Sequence, residues 1–144
     1  MAVKPIPDGY HTVTPYLMVN DVEGLIEFVQ DAFDGTLRGG EAARDASGRI
    51  MHAEVQIGDS VVMMSQATDE FAPKTAMLHL YVEDVDAVYE QALDAGGTSL
   101  REPTDEFYGD RSAGVADGFG NEWWIATHVE DVSPEEMQRR MEAM

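Results

Sequence analysis

The chain contains no cysteine among its 144 residues. No disulfide can staple it, no thiolate can hold a metal and no Cys nucleophile is available. A chain without thiols suits a reducing compartment, and the cytoplasm is the expected location. Cations are scarce as well. Nine Lys and Arg stand against 28 Asp and Glu, which leaves a formal charge of −19 and a pI near 4.2. Nucleic acid and anionic membrane surfaces both need a basic footprint, so neither is an expected partner. Long apolar runs are missing too: Val61-Val62-Met63-Met64 is as long as any, far below the ~20 residues of a membrane span. Met1-Ala2-Val3-Lys4-Pro5-Ile6-Pro7 has no apolar segment of the secretory kind. The acidic residues are spread along the chain, as on a solubilising surface. The remaining composition, 44% hydrophobic and 26% charged, is that of an ordinary globular protein.

What the chain does have is an internal repeat. Residues 17–32 align without gaps with residues 80–95, pairing Leu17 with Leu80, Val19 with Val82, Asp21 with Asp84, Val22 with Val85, Glu27 with Glu90, Asp31 with Asp94 and Ala32 with Ala95. The chain therefore reads as a single domain, 1–144, built of two copies of one unit, about 10–66 and 75–129. Each copy opens on alternating residues, 12–19 or 77–82, which predict a strand. Asp21 or Asp84 follows as a helix N-cap. Apolar stripes at Val22, Leu25, Ile26, Val29 and Phe33, and at Val85, Val88, Ala92 and Leu93, predict the helices. Three further strands fit each copy: about 36–43, 50–57 and 60–66, then 98–103, 111–116 and 122–128. The fold class is α+β: two tandem βαβββ modules forming a curved mixed sheet around a concave pocket. Ser133-Pro134-Glu135-Glu136 opens a short C-terminal helix within 130–144.

Alternation assigns the strand faces. Val13, Pro15, Leu17 and Val19, then Met51, Ala53, Val55 and Ile57, then Leu78, Leu80 and Val82 are the helix-facing sets. Tyr16, Met18, His52, Glu54, Met77, His79 and Tyr81 point the other way. Tyr, Met and His suit a pocket wall better than a fully solvated face.

The paired βαβββ pattern, with Val-x-Asp after the first strand of each half and Asp117-Gly118-Phe119-Gly120-Asn121 near the end, resembles the vicinal oxygen chelate superfamily. That group includes glyoxalase I, bleomycin-resistance proteins and extradiol dioxygenases. The resemblance covers residues 8 to about 132. Gly9-Tyr-His-Thr-Val-Thr-Pro-Tyr16, Gly48-Arg-Ile-Met-His-Ala-Glu54, Phe107-Tyr-Gly-Asp-Arg111 and Trp123-Trp-Ile-Ala-Thr-His128 are similar to its PhnB-like branch. Branch members often carry a demethylubiquinone methyltransferase designation, but no Gly-rich loop or Rossmann pattern here supports a methyl-donor site. The fold hosts several chemistries, so the resemblance does not fix a reaction.

The resemblance implies metal ligands, His or Glu, on the first and last strand of each half. Carried over, these positions fall at Thr14, about Met63, Met77 and Trp124, and none is a usual divalent-cation donor. The expectation is a protein with no metal and no cofactor that binds a small molecule. The alternative is a lyase, isomerase or dioxygenase with a displaced metal site near His79 and Glu54, with His52 as a further donor. The expected ligand pocket is Thr14, Tyr16, His52, Glu54, Met63, Met77, His79, Tyr108, Arg111 and Trp124. Within it His79 and Tyr16 are repeat counterparts, and one of Trp123 and Trp124 enters the core. Arg111 reads either as an anion clamp with Tyr108 as lid, or as a local partner of Asp110. His11 and His128 read as structural. Open sheets of this kind leave edges that want covering, and superfamily members of this size are similarly dimeric, so a homodimer is expected.

Overall fold

The computed structural model describes residues 3–144. It is a mixed α+β architecture in two compact units, Met1–Ala76 and Met77–Met144. Each unit carries its own sheet, backed by one helix.

In the first unit β1 (Tyr16–Val19) leads to α1 (Val22–Phe33), followed by β2 (Thr36–Leu37), β3 (Ala43–Arg44), β4 (Ile50–Ile57) and β5 (Ser60–Gln66). The strand order is β1-β5-β4-β2, and β3 also pairs with β4. β1 runs parallel to β5 with Tyr16 opposite Met63, and β4 runs antiparallel to β5 with Glu54 opposite the same Met63. The Asp21 carboxylate accepts from the Gly24 N–H at 3.0 Å and caps α1, satisfying one of the orphan donors of the first turn. Leu25, Val29 and Ala32 on the inner stripe are completely buried. The helix stops at Asp34, which takes a left-handed conformation (φ 56°). Gly35 follows because a Cβ there would meet Val29 and Val55 at 2.9 Å.

The second unit repeats the plan. β6 (Ala76–Tyr81), α2 (Val85–Asp94), β7 (Thr98–Asp105), β8 (Asp110–Ala116) and β9 (Asn121–His128) are followed by α3 (Pro134–Glu142). The strand order is β6-β9-β8-β7. Asp84 caps α2 through the Ala87 N–H at 3.2 Å, and Ser133 caps α3 through the Glu136 N–H at 3.1 Å. No helix among the described residues is long and apolar enough to cross a membrane.

Four sequence expectations are corrected. The strand expected over 36–43 is split, because Gly39 and Gly40 both take positive φ and turn the chain through a short 3-10 segment at Arg38–Gly40. The first strand starts at Tyr16 rather than residue 12; Thr14 precedes a proline, Val13 is 81% exposed, and pairing begins where the Met63 N–H donates to the Pro15 carbonyl at 2.9 Å. Met51 does not point inward. The pairing of β3 with β4 slips by one residue, Ala43 to His52 but Arg44 to Ile50, so Ile50 is buried and Met51 exposed. On α2, Tyr89 rather than Val88 is buried, its hydroxyl donating to Ser99 at 2.7 Å.

The Asp-x-Phe-Gly-Asn motif fixes the β8–β9 hairpin. The buried Asp117 carboxylate accepts from the Phe119 N–H (2.6 Å), the Asn121 N–H (3.1 Å), the Asn121 amide (2.8 Å) and the Trp123 indole N–H (2.9 Å). A charged acceptor with four donors is fully compensated for its burial, and removing the charge leaves those donors competing for a poorer acceptor. Asp117→Asn should therefore lower stability by about 2–4 kcal/mol, read as a lower urea midpoint with an unchanged m value.

Candidate functional site

Each sheet has one face against its helix and one helix-free, open face, on which Asp110, Ser112 and Ala126 of the second unit are nevertheless buried beneath neighbouring groups; the open faces carry most of the expected site residues. In the first unit β1, β4 and β5 bring four of them together. The Tyr16 hydroxyl lies 3.1 Å from His52 Nδ1, and His52 Nε2 lies 2.8 Å from Glu54 Oε2. With the carboxylate accepting from Nε2–H, Nδ1 is free to accept from the phenol, so the three groups form one directed chain. Met63 stands directly across from both Tyr16 and Glu54, and the Met18 sulfur accepts from the Ser65 hydroxyl at 3.2 Å. The result is a polar line flanked by two polarizable thioethers. Thr14 lies outside the sheet, half-buried, in the segment before β1.

In the second unit Met77, His79 and Tyr81 alternate on the exposed side of β6, and the His79 ring packs edge-on against Tyr81 with centroids 4.9 Å apart. Trp123 enters the core and is completely buried; Trp124 takes the opposite face. Its indole lies over Gly114, its cross-strand partner, where a Cβ would meet ring atoms at 2.6–2.9 Å. Its N–H donates to Glu122 at 3.1 Å. Burial is the main reason that the Tyr108 phenol is pushed above its ordinary pKa, with Glu106 and Asp110 adding to it.

Arg111 is a correction to the expected pocket. Its guanidinium makes a bidentate pair with Asp86 in the first turn of α2, at 3.0 Å for each bond, and reaches Asp105 at 3.2 Å. Those partners lie on the helix side of the sheet, so Arg111 is neither on the open face nor free to clamp an anion. It does not pair with Asp110 either.

Asp110 instead belongs to a cluster that sequence reading missed. Its buried carboxylate accepts from the Tyr81 hydroxyl at 3.0 Å and pairs with His128 Nδ1 at 2.8 Å, while His128 Nε2 meets Asp131 at 2.8 Å. The signal was present in the alternation: Trp124, Ala126 and His128 share a face, and Asp110 is the cross-strand partner of His128. The hydrogen bond to Asp110 first, and that to Asp131 second, raise the His128 pKa above its ordinary 6.5. The hydrogen bond to Asp110 likewise raises the Tyr81 phenol.

Among the described residues no group of three or more His, Asp or Glu side chains is placed to hold a metal ion. Glu54 is engaged by His52, and His79 by the Tyr81 ring. A separate open groove of about 770 Å³ runs beside α1 in the first unit, over Ile26, Leu37 and Ile50 with Glu23, Glu27, Glu41 and Arg44 at its rim; none of the ten expected site residues lines it.

The model of the Glyoxalase/Bleomycin resistance protein/Dioxygenase superfamily matches residues 10–125. The chain belongs to that superfamily. An uncharacterized protein of Mycobacterium bovis is 32% identical over 140 residues, covering 90% of this chain and 91% of the relative. Among solved structures, TioX from Micromonospora sp. ML1 superposes with a TM-score of 0.70 at 21% identity, over 83% of this chain and 99% of TioX. A putative 3-demethylubiquinone-9 3-methyltransferase, PhnB protein, from Bacillus cereus gives 0.60 at 17% identity, over 81% and 99%. At these identities the structural likenesses establish the fold. The superfamily's divalent-ion chemistry needs imidazole or carboxylate donors. Thr14, Met63, Met77 and Trp124, at the carried-over ligand positions, do not fit it.

The His128 cluster gives a signed pH dependence. A histidine whose folded pKa is raised contributes stability that is fully present below its unfolded value near 6.5 and is lost as pH rises through the folded value. Urea midpoints should therefore fall as pH rises above 6.5, and His128→Gln should flatten that fall; a parallel decline in parent and variant would remove His128 as its source.

Proposed function

We propose that this superfamily member, of the PhnB-like branch, is a metal-independent small-molecule-binding protein of the bleomycin-resistance type. It acts as a homodimer in the cytoplasm and holds an apolar or aromatic metabolite. The observation that carries the reading is the donor chemistry at the carried-over ligand positions: a threonine, two methionines and a tryptophan. A neutral hydroxyl, two thioethers and an indole are a poor set for a hard or borderline divalent ion, and a suitable set for an apolar ligand with a few hydrogen-bonding groups.

The open faces support the same reading. Met63 beside the Tyr16–His52–Glu54 chain offers apolar contact next to a directed hydrogen-bond line. Half-buried Trp124, seated on Gly114, offers an aromatic surface, and aromatic stacking is worth on the order of 1 kcal/mol beyond area burial. His79 and Tyr81 supply polar edges on the same face. Open sheets with uncovered faces favour self-association, and a chain without cysteine is suited to the reducing cytoplasm.

Elemental analysis of protein purified without chelator should find far less than one transition metal per chain, and light scattering should find two chains per particle. One tightly held metal per chain, lost in His79→Ala, would contradict the metal-independent reading; a monomer at micromolar concentration would contradict the dimer.

A further inference from the structure

Six of the seven arginines lie within salt-bridge distance of a carboxylate. That is the expected outcome in a chain with 28 acidic and nine basic residues. The seventh, Arg38, has no carboxylate partner among the described residues. Its guanidinium is nevertheless held at three points. Nη1 donates to the Gln56 side-chain oxygen at 3.0 Å, Nη2 donates to the Asp8 backbone carbonyl at 3.1 Å, and the group lies over the Tyr10 ring at 4.9 Å. Gly9 is moulded to it: a Cβ there would sit 2.8 Å from Nη1.

Every one of these partners is neutral. They fix the position of the charge without cancelling it, and two acceptors leave the remaining N–H groups of the five-donor fork unused. The nearby carboxylates are turned elsewhere: Asp8 to Lys4 at 2.7 Å, and Glu54 to His52. Gln56 lies on β4 in phase with Glu54 and His52, so the guanidinium stands at the far end of the same open face that carries Tyr16 and Met63. From His52 to Gln56 the strand spans roughly 13 Å, the length of a small aromatic molecule with one substituent.

From this geometry we infer that Arg38 is the anion-recognition residue of the first unit's open face, and that the ligand is an apolar or aromatic compound bearing a carboxylate. The oxyanion docks on the free edge of the guanidinium as a bidentate pair, and the apolar body lies along β4 toward Met63. The inference rests on the reading of that face as a ligand surface and adds the charge of the ligand, opposite to what a chain of −19 attracts at long range. It also moves the anion-clamp role from Arg111, which Asp86 and Asp105 saturate, to Arg38.

Equilibrium dialysis with the matched probes 2-naphthoate and 2-naphthamide tests this at low salt. The parent should bind the carboxylate at least ten-fold more tightly than the amide, and the preference should shrink at 0.5 M salt. Arg38→Gln should erase the preference and leave the amide affinity within two-fold; Arg38→Lys, which keeps the charge without the fork, should retain part of it. Thermal melts of both variants show whether the Asp8–Tyr10 segment still docks. Equal binding of the two probes by the parent, or a preference that survives Arg38→Gln, overturns the anion role and leaves the ligand surface standing. Binding of neither probe overturns both.

Discussion

Four N–H groups converge on the Asp117 carboxylate, and the open face of the second unit depends on that convergence. The bonds from Phe119 and Asn121 close the turn between β8 and β9, and the bond from the Trp123 indole draws that side chain into the core. Strand alternation does the rest: with Trp123 inside, Trp124, Ala126 and His128 must face the other way. The registers of Gly114 with Trp124 and of Asp110 with His128 follow from the same hairpin. A slip of one residue would exchange the two tryptophans and dismantle the Tyr81–Asp110–His128 cluster.

The charge pattern shows the same economy. The acidic excess is carried on the surface, and nearly every arginine is placed beside a carboxylate. Exposed pairs of this kind contribute little individually, so their value is in deciding where positive charge is not left free. Arg111 is neutralised on the helix side by Asp86 and Asp105. Arg38 is fixed by an amide, a carbonyl and a ring, and keeps its charge at the end of the first open face. On the first open face Tyr16, His52 and Glu54 are tied into one directed chain, and on the second Tyr81, Asp110, His128 and Asp131 into another. Such an arrangement costs little reorganisation when a ligand arrives.

The sequence was most legible where local chemistry is decisive. Asp21, Asp84 and Ser133 announced three helix starts, and the strands expected at 50–57 and 60–66 were found as β4 and β5. Alternation over 77–82 placed β6 within a residue. It was least legible where one residue redirects several. Gly39-Gly40 broke a strand that alternation continued, and a one-residue slip against β3 put Met51 outside. At the site, Tyr16, His52 and Glu54 were readable from strand alternation, while Met63 came only from the position that the superfamily resemblance implied. Arg111 was misplaced because its partners Asp86 and Asp105 come from other elements, which spacing within Phe107–Arg111 cannot show. His128 was passed over as a strand-end residue because the buried Asp110 that gives it a role lies across the hairpin.

Methionine methyl groups report the central claim directly, since they lie on both sides of the first unit's sheet. With methyl-labelled methionine and excess chelator, titration of 2-naphthamide should move the NMR signals of Met18 and Met63 on the open face. The signal of Met64, which is completely buried on the helix side, should stay within the shifts seen for a non-binding control. Perturbation confined to Met51 or Met141, or binding that appears only when a divalent metal replaces the chelator, would contradict a metal-independent ligand surface on this face.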